Sequence, residues 1–144
     1  MNALDISGSA LAAQRTRMNA IAGNIANANT TRDADGRPNP YRRIEVLFAA
    51  GAEGASAGSG PLPSGVRVAA VREDPRPFRW TYDPGHPDAV RDPADERFGQ
   101  VRLPSINPLE EMVDMMLASR SYEANLSALE VTKGMHAAAL RIIA

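Results

Sequence analysis

The run NPLEEMVDMMLASRSYEANLSALEVTKGMHAAALRIIA, residues 107–144, decides the fold. Asn107 is placed as an N-cap, Pro108 at the first helical position and Glu110 as the reciprocal capping residue. No proline follows Pro108, so the remaining 36 residues can form one helix of roughly 54 Å. Acids open it (Glu110, Glu111, Asp114) and bases come later (Lys133, Arg141), as the helix dipole favours. Two apolar seams run along it at spacings of three and four. The first is Met112, Met115, Ser119, Tyr122, Leu126, Leu129, His136, Leu140 and Ile143, broken at Lys133. The second is Val113, Leu117, Ala124, Ala128, Val131, Met135, Ala138 and Ile142. One neighbouring helix covers only one seam. The second is therefore expected to face another chain. A compact helical hairpin that dimerises is the alternative reading.

The other end of the chain supplies the neighbouring helix. All eleven prolines lie between Pro38 and Pro108, so the first 37 residues are also free of them. Over residues 2–28, Leu4, Leu11, Met18 and Ile25 recur every seven residues, and Ile21 and Ala28 fill a second heptad position that Gln14 and Ser7 weaken. The seam is narrow and flanked by alanines that let backbones approach closely. Three asparagines, Asn24, Asn27 and Asn29, crowd its end although asparagine is a mediocre helix former. A buried amide is costly unless paired, and a paired one fixes register between helices. Asn24 and Asn27 are therefore expected at an interface between helices. Asn29, with Thr30 and Thr31, is expected to end the helix.

The middle reads differently. YRRIEVLF (41–48) alternates as a half-buried strand does, and GVRVAAV (65–71), FRWTY (78–82) and GQVRL (99–103) read as further strands, gathered around Trp80. GAEGASAGSGPLPSG (51–65) has almost nothing to bury and is expected to be a mobile loop. DADG (33–36) and DPGH (83–86) are turns. The expected class is α+β: long N- and C-terminal α-helices pairing as a coiled coil (residues 1–30 and 105–144) with a small β-rich middle insert (31–104).

Composition narrows the function. A net charge of −1 and a pI near 6.1 argue against a general nucleic-acid or anionic-membrane binder. No apolar stretch approaches the ~18 residues that span a membrane. The absence of cysteine fits life outside the cytoplasm, and no cleavable signal peptide is visible at the N-terminus. No G-x-S-x-G elbow, P-loop or G-x-G-x-x-G occurs. His86 between Asp83 and Asp88 sits in a Pro/Gly turn, where such residues serve the turn. Neither catalysis, a metal, a cofactor nor a small-molecule substrate is expected.

Three segments carry a resemblance. SALAAQRTRMNAIAGNIANANTT (9–31) resembles the N-terminal signature of bacterial flagellar axial proteins, the rod and hook subunits, and LEEMVDMMLASRSYEANLSALE (109–130) resembles their C-terminal signature. The short middle, with RPNPYRRIEVLF, the YDPGHPDA turn and GQVRLPSIN, looks most like the proximal-rod members. Ser105 stands where the family usually shows asparagine. The resemblance implies a structural subunit of the basal-body rod. Its terminal helices would polymerise with copies of itself and other rod subunits into the axial drive shaft. It would reach the periplasmic rod through the flagellar type III export apparatus, without signal cleavage. The subunit-interface residues it points to are Leu4, Leu11, Met18, Ile21, Asn24, Ile25 and Asn27 on the first helix. On the second they are Met112, Val113, Met115, Leu117, Tyr122, Ala124, Asn125, Leu126, Leu129, Val131 and Met135. A soluble coiled-coil adaptor or secretion chaperone is the rival reading, though it would not need the β-rich middle.

Overall fold

A computed structural model describes residues 3–51 and 65–143, apart from the side chains of residues 142 and 143. The elements run α1 (Ala3–Ala26), β1 (Ile44–Ala50), β2 (Val66–Glu73), β3 (Arg79–Tyr82), β4 (Gln100–Leu103) and α2 (Pro108–Ile143). Two proline-free ends give two helices, and the proline-rich centre gives short strands, an α+β arrangement. The interior of the 51–65 loop and the side chains of the seam residues Ile142 and Ile143 lie outside what is described.

The start of α2 follows its capping residues. Asn107 Oδ1 accepts the Leu109 amide at 3.1 Å, and its Nδ2 donates to Glu110 Oε1 at 3.0 Å. Helix α1 ends where side chains begin to compete for its backbone. Asn27 donates through both its amide nitrogens, backbone and side-chain, to Gly23 O, and Thr30 Oγ1 donates to Asn27 Oδ1. Asn27 thus bonds within its own turn, with its side chain half-buried. Asn29 is exposed beyond it.

The two helices pack against each other antiparallel, with Asn24 near the end of α1 meeting Glu111 near the start of α2. Ala13, Ile21 and Ala28 of the first segment and Ala118 of α2 are buried. On α2 the covered or half-covered face is Glu111, Met115, Ala118, Tyr122, Asn125, Leu129 and Thr132. This corrects the first seam. Met115, Tyr122 and Leu129 do face inward, but Met112 and Leu126 turn outward and His136 is exposed. The helices approach over alanine and polar positions, which let backbones come close, so the largest apolar side chains need not mark the contact.

The strands form two separate antiparallel ribbons instead of one group around Trp80. Strands β1 and β2 pair with a bulge: Leu47 lies opposite Ala70 and Phe48 opposite Val68, leaving Ala69 as the extra residue. This ribbon lies on α1, where Ser9 Oγ accepts the Val66 amide at 3.0 Å and Arg17 sits over the Phe48 ring. Gly51 and Gly65, both at positive φ, close the ribbon's far end through a 3.0 Å bond from Gly51 N to Gly65 O. Strands β3 and β4 pair with Trp80 opposite Arg102 and Thr81 opposite Val101. Phe78, just before β3, has the guanidinium groups of both Arg42 and Arg102 over its ring, and Arg97 covers Trp80. Buried Ala89, Val101, Pro104 and Ile106 make a small apolar centre here.

Gly99 holds the β3–β4 ribbon to its turn. Its φ is +74°, and a Cβ there would sit 2.7 Å from the Tyr82 ring. Gly36 has nearly the same φ, +75°, with open space around it. Gly99→Ala is expected to lower the urea unfolding midpoint more than Gly36→Ala, whose cost of about 1 kcal/mol is backbone strain alone.

Candidate assembly surface and the clamp beneath it

The polar heart of the chain forms where α1, α2 and the start of β1 converge. Asn24 is 1% exposed. Its Oδ1 accepts the Ile44 amide at 2.8 Å, and its Nδ2 donates to Ile44 O and to Glu111 Oε2, each at 3.0 Å. Both ends of the amide are therefore used inside the chain. Tyr41 Oη lies 3.5 Å from the same Oδ1. Glu111, also 1% exposed, takes a 2.6 Å bond from Arg43 Nε on its other oxygen.

Arg43 gathers the remaining charge. Its Nη1 reaches Glu45 at 3.2 Å and Asp74 at 3.7 Å, and its Nη2 reaches Asp114 at 3.8 Å. Burial opposes its charge. The hydrogen bond and attraction of Glu111, then Glu45 and Asp74, outweigh that and raise its pKa above the usual arginine value. Asp74 is buried, which also opposes its charge. The Arg76 backbone and side chain, with Arg43, nonetheless hold its carboxyl below the usual range. Burial lifts the Tyr41 hydroxyl upward, helped by Glu111 and Glu73.

A second tie joins the middle to the segment after α1. Asp88 accepts from Arg32 Nε on both oxygens and from Thr31 Oγ1 at 2.8 Å. The Arg32 bond, then that of Thr31, holds its pKa below the usual aspartate value. His86 Nδ1 accepts the Asp88 amide, and Asp83 Oδ1 accepts the Gly85 amide. The three polar residues of the YDPGHPDA turn thus shape the turn and anchor it.

Around this interior lies an uncovered apolar surface on α2. Val113, Leu117, Val131 and Met135 are 44%, 56%, 60% and 68% exposed, and Ala124 is exposed in line with them. Leu109, Met112, Met116 and Leu140 widen the surface. On α1, Leu4, Leu11, Met18 and Ile25 are half-buried and Ile21 is buried within the chain. On α2, Asn125 is half-buried and bonds back to Ser121 O. The sequence therefore located the open face of α2. It placed Glu111 only as an acid opening the helix and Asp88 only as a turn residue, and it missed Arg43 and Asp74; Glu111 and Arg43 meet across 68 positions and Asp88 and Arg32 across 56.

No described helix is long and apolar enough to cross a membrane. Residues 4–32 match the family model "Flagella basal body rod protein", and residues 99–142 match "Flagellar basal body rod FlgEFG protein C-terminal". Relatives named flagellar basal-body rod protein FlgC align over nearly the whole chain. The one from Borreliella burgdorferi is 38% identical over 99% of this chain and 96% of its own. That from Bacillus subtilis is 41% identical over 98% and 96%. That from Aquifex aeolicus is 46% identical over 92% and 88%.

Two expectations follow from the clamp. Glu111→Gln leaves Arg43 without its closest buried counter-charge and should cost about 3–5 kcal/mol. Glu45→Gln, on a more open pair, should cost under about 1 kcal/mol in the same denaturant titration. Asp74 and Asp88 are both held below their unfolded values. Their contribution is complete above about pH 4 and is lost as pH falls through the folded-state values. Thermal midpoints should therefore drop on acidification below about pH 4, and less steeply in Asp88→Asn.

Proposed function

The chain belongs to the FlgC family of flagellar basal-body rod proteins, and from that membership we propose that its paired terminal helices polymerise into the rod. It is a structural subunit of the flagellar basal-body rod. The single observation that carries the assembly reading is the open second seam of α2. Val113, Leu117, Ala124, Val131 and Met135 recur at helical spacing, and their own chain leaves them in water. A seam of this length on a subunit of a polymer is covered by neighbouring subunits. Torque then passes through helix–helix packing, and the β ribbons sit outside it. Leu4, Leu11, Met18 and Ile25 of α1 and Met112 and Leu126 of α2 extend the contact.

The subunit's partners in this reading are further copies of itself and other rod proteins. It reaches the periplasm through the flagellar type III apparatus with its N-terminus kept. Its role is mechanical, with no catalytic step, cofactor or nucleic acid. An adaptor or chaperone would instead leave this seam for a transient client and would not be found in purified basal bodies.

Val131→Asp separates these readings. On a face that stays in water the change is nearly neutral, within about 0.5 kcal/mol. At a subunit contact it buries an unpaired carboxylate, at several kcal/mol per contact. The variant should be made and exported at normal levels, yet be missing from basal bodies, leaving cells non-motile. Wild-type motility would show that the seam is not an interface. In the same preparations, the mass of the wild-type protein should match the full chain apart from Met1, and loss of 15 to 30 residues would rule out the export route.

A further inference from the structure

We propose that Arg120 of one copy pairs with Glu130 of the next across the open face of α2, so that the contact is matched in charge as well as apolar. This deepens the rod reading and rests on it, naming a second copy of this chain as the occupant of the seam.

The open seam steps by three or four residues except once, where it passes from Leu117 to Ala124. Arg120 fills that step. It stands three residues after Leu117 and four before Ala124, and so lies on the same face of the helix. It is exposed, and it forms no hydrogen bond, ion pair or ring contact among the described residues. In the free subunit water solvates its charge. Once a neighbour covers the seam, the guanidinium between Leu117 and Ala124 is enclosed with them, and an enclosed cation calls for an anion. Its own helix offers Glu123 one turn on, with the base nearer the N-terminus, which is the weaker order for a helical pair. Ser119 Oγ already donates to Glu123 at 3.5 Å.

A second uncovered row on α2 supplies the anion. Met112, Met116, Glu123, Leu126 and Glu130 recur at helical spacing beside the seam, and all five are exposed. This row is apolar like the seam, but it carries acids where the seam carries Arg120. Glu130, like Arg120, has no partner among the described residues. A seam packed on a second seam leaves both arginines without an acid in the stretch from Val113 to Val131. A seam packed on the other row brings apolar to apolar and base to acid. Two different surfaces then meet, and such a contact repeats from copy to copy instead of ending at a dimer. Ten residues, about 15 Å of helix, separate Arg120 from Glu130, so this pair forms only between chains.

The test is a charge exchange in the full-length protein. Arg120→Leu, Arg120→Glu, Glu130→Arg and the exchange Arg120→Glu with Glu130→Arg are compared, with Val131→Asp beside them. Exported protein and protein incorporated in purified basal bodies are measured for each. Arg120→Leu keeps the seam apolar, so a partner surface without an acid would accept it. Opposite Glu130 it strands an enclosed carboxylate, and incorporation should fall more than about tenfold while export is unchanged. Arg120→Glu and Glu130→Arg should each fall as far, and the exchange should return to within about twofold of wild type. Neither residue touches its own chain, so urea midpoints of the purified variants should match the wild type. Wild-type incorporation of Arg120→Leu overturns the proposal. So does an exchange that is incorporated no better than its single variants. Val131→Asp then tells which reading has failed. If it is still missing from basal bodies, the seam is an interface and only the pairing falls. If it is incorporated normally, the seam reading falls and the pairing with it.

Discussion

One carboxamide that must not be left unpaired organises this chain. Asn24 is shut away from water, so each of its polar atoms has to find a partner in protein. The partners come from the first residue of β1 and the first turn of α2. That requirement brings together three segments that sequence distance keeps apart. Glu111 is then buried too and calls for a cation, which Arg43 supplies from the residue before β1. Arg43 in turn draws in Glu45, Asp74 and Asp114. Helix pairing and the placing of the first β ribbon are thus two results of one polar cluster.

The parts of the fold that depend on local chemistry were legible in the sequence. The proline distribution marked both helices, Asn107 and Pro108 marked where α2 begins, and alternation marked the strands. Parts that depend on distant partners were not. Asn24 and Glu111 are separated by 87 positions, and Arg32 and Asp88 by 56. Nothing near Asn24 says whether its amide will meet its own chain or another. The inward face of α2 was read only at Met115, Tyr122 and Leu129, because hydrophobicity favours Met112 and Leu126, whereas close packing favours Ala118. The open seam at Val113, Leu117 and Val131 was readable because an apolar stripe at helical spacing is conspicuous in the sequence itself.

The insert and the helices are stabilised in different ways. The helices share a small buried interior and keep apolar surface in reserve. The ribbons, each only two strands wide, have little to bury. Guanidinium groups stand in for a core there: Arg42 and Arg102 about Phe78, Arg97 on Trp80, and Arg32 on Asp88. Arginine suits this, because its flat, weakly hydrated head stacks on rings and pairs bidentately with carboxylates. The arginine-rich composition, uninformative as a charge count, has a structural use in this part of the chain.

The bond between Gly51 and Gly65 has a consequence for how the chain tolerates change. It ties the end of β1 to the start of β2, so the register of this ribbon is closed by the two glycines themselves. Doubling the length of a chain segment held at both ends costs only about 0.6 kcal/mol in closure entropy. This is therefore the position where evolution, or a tag placed by hand, can lengthen the protein with least disturbance to the fold.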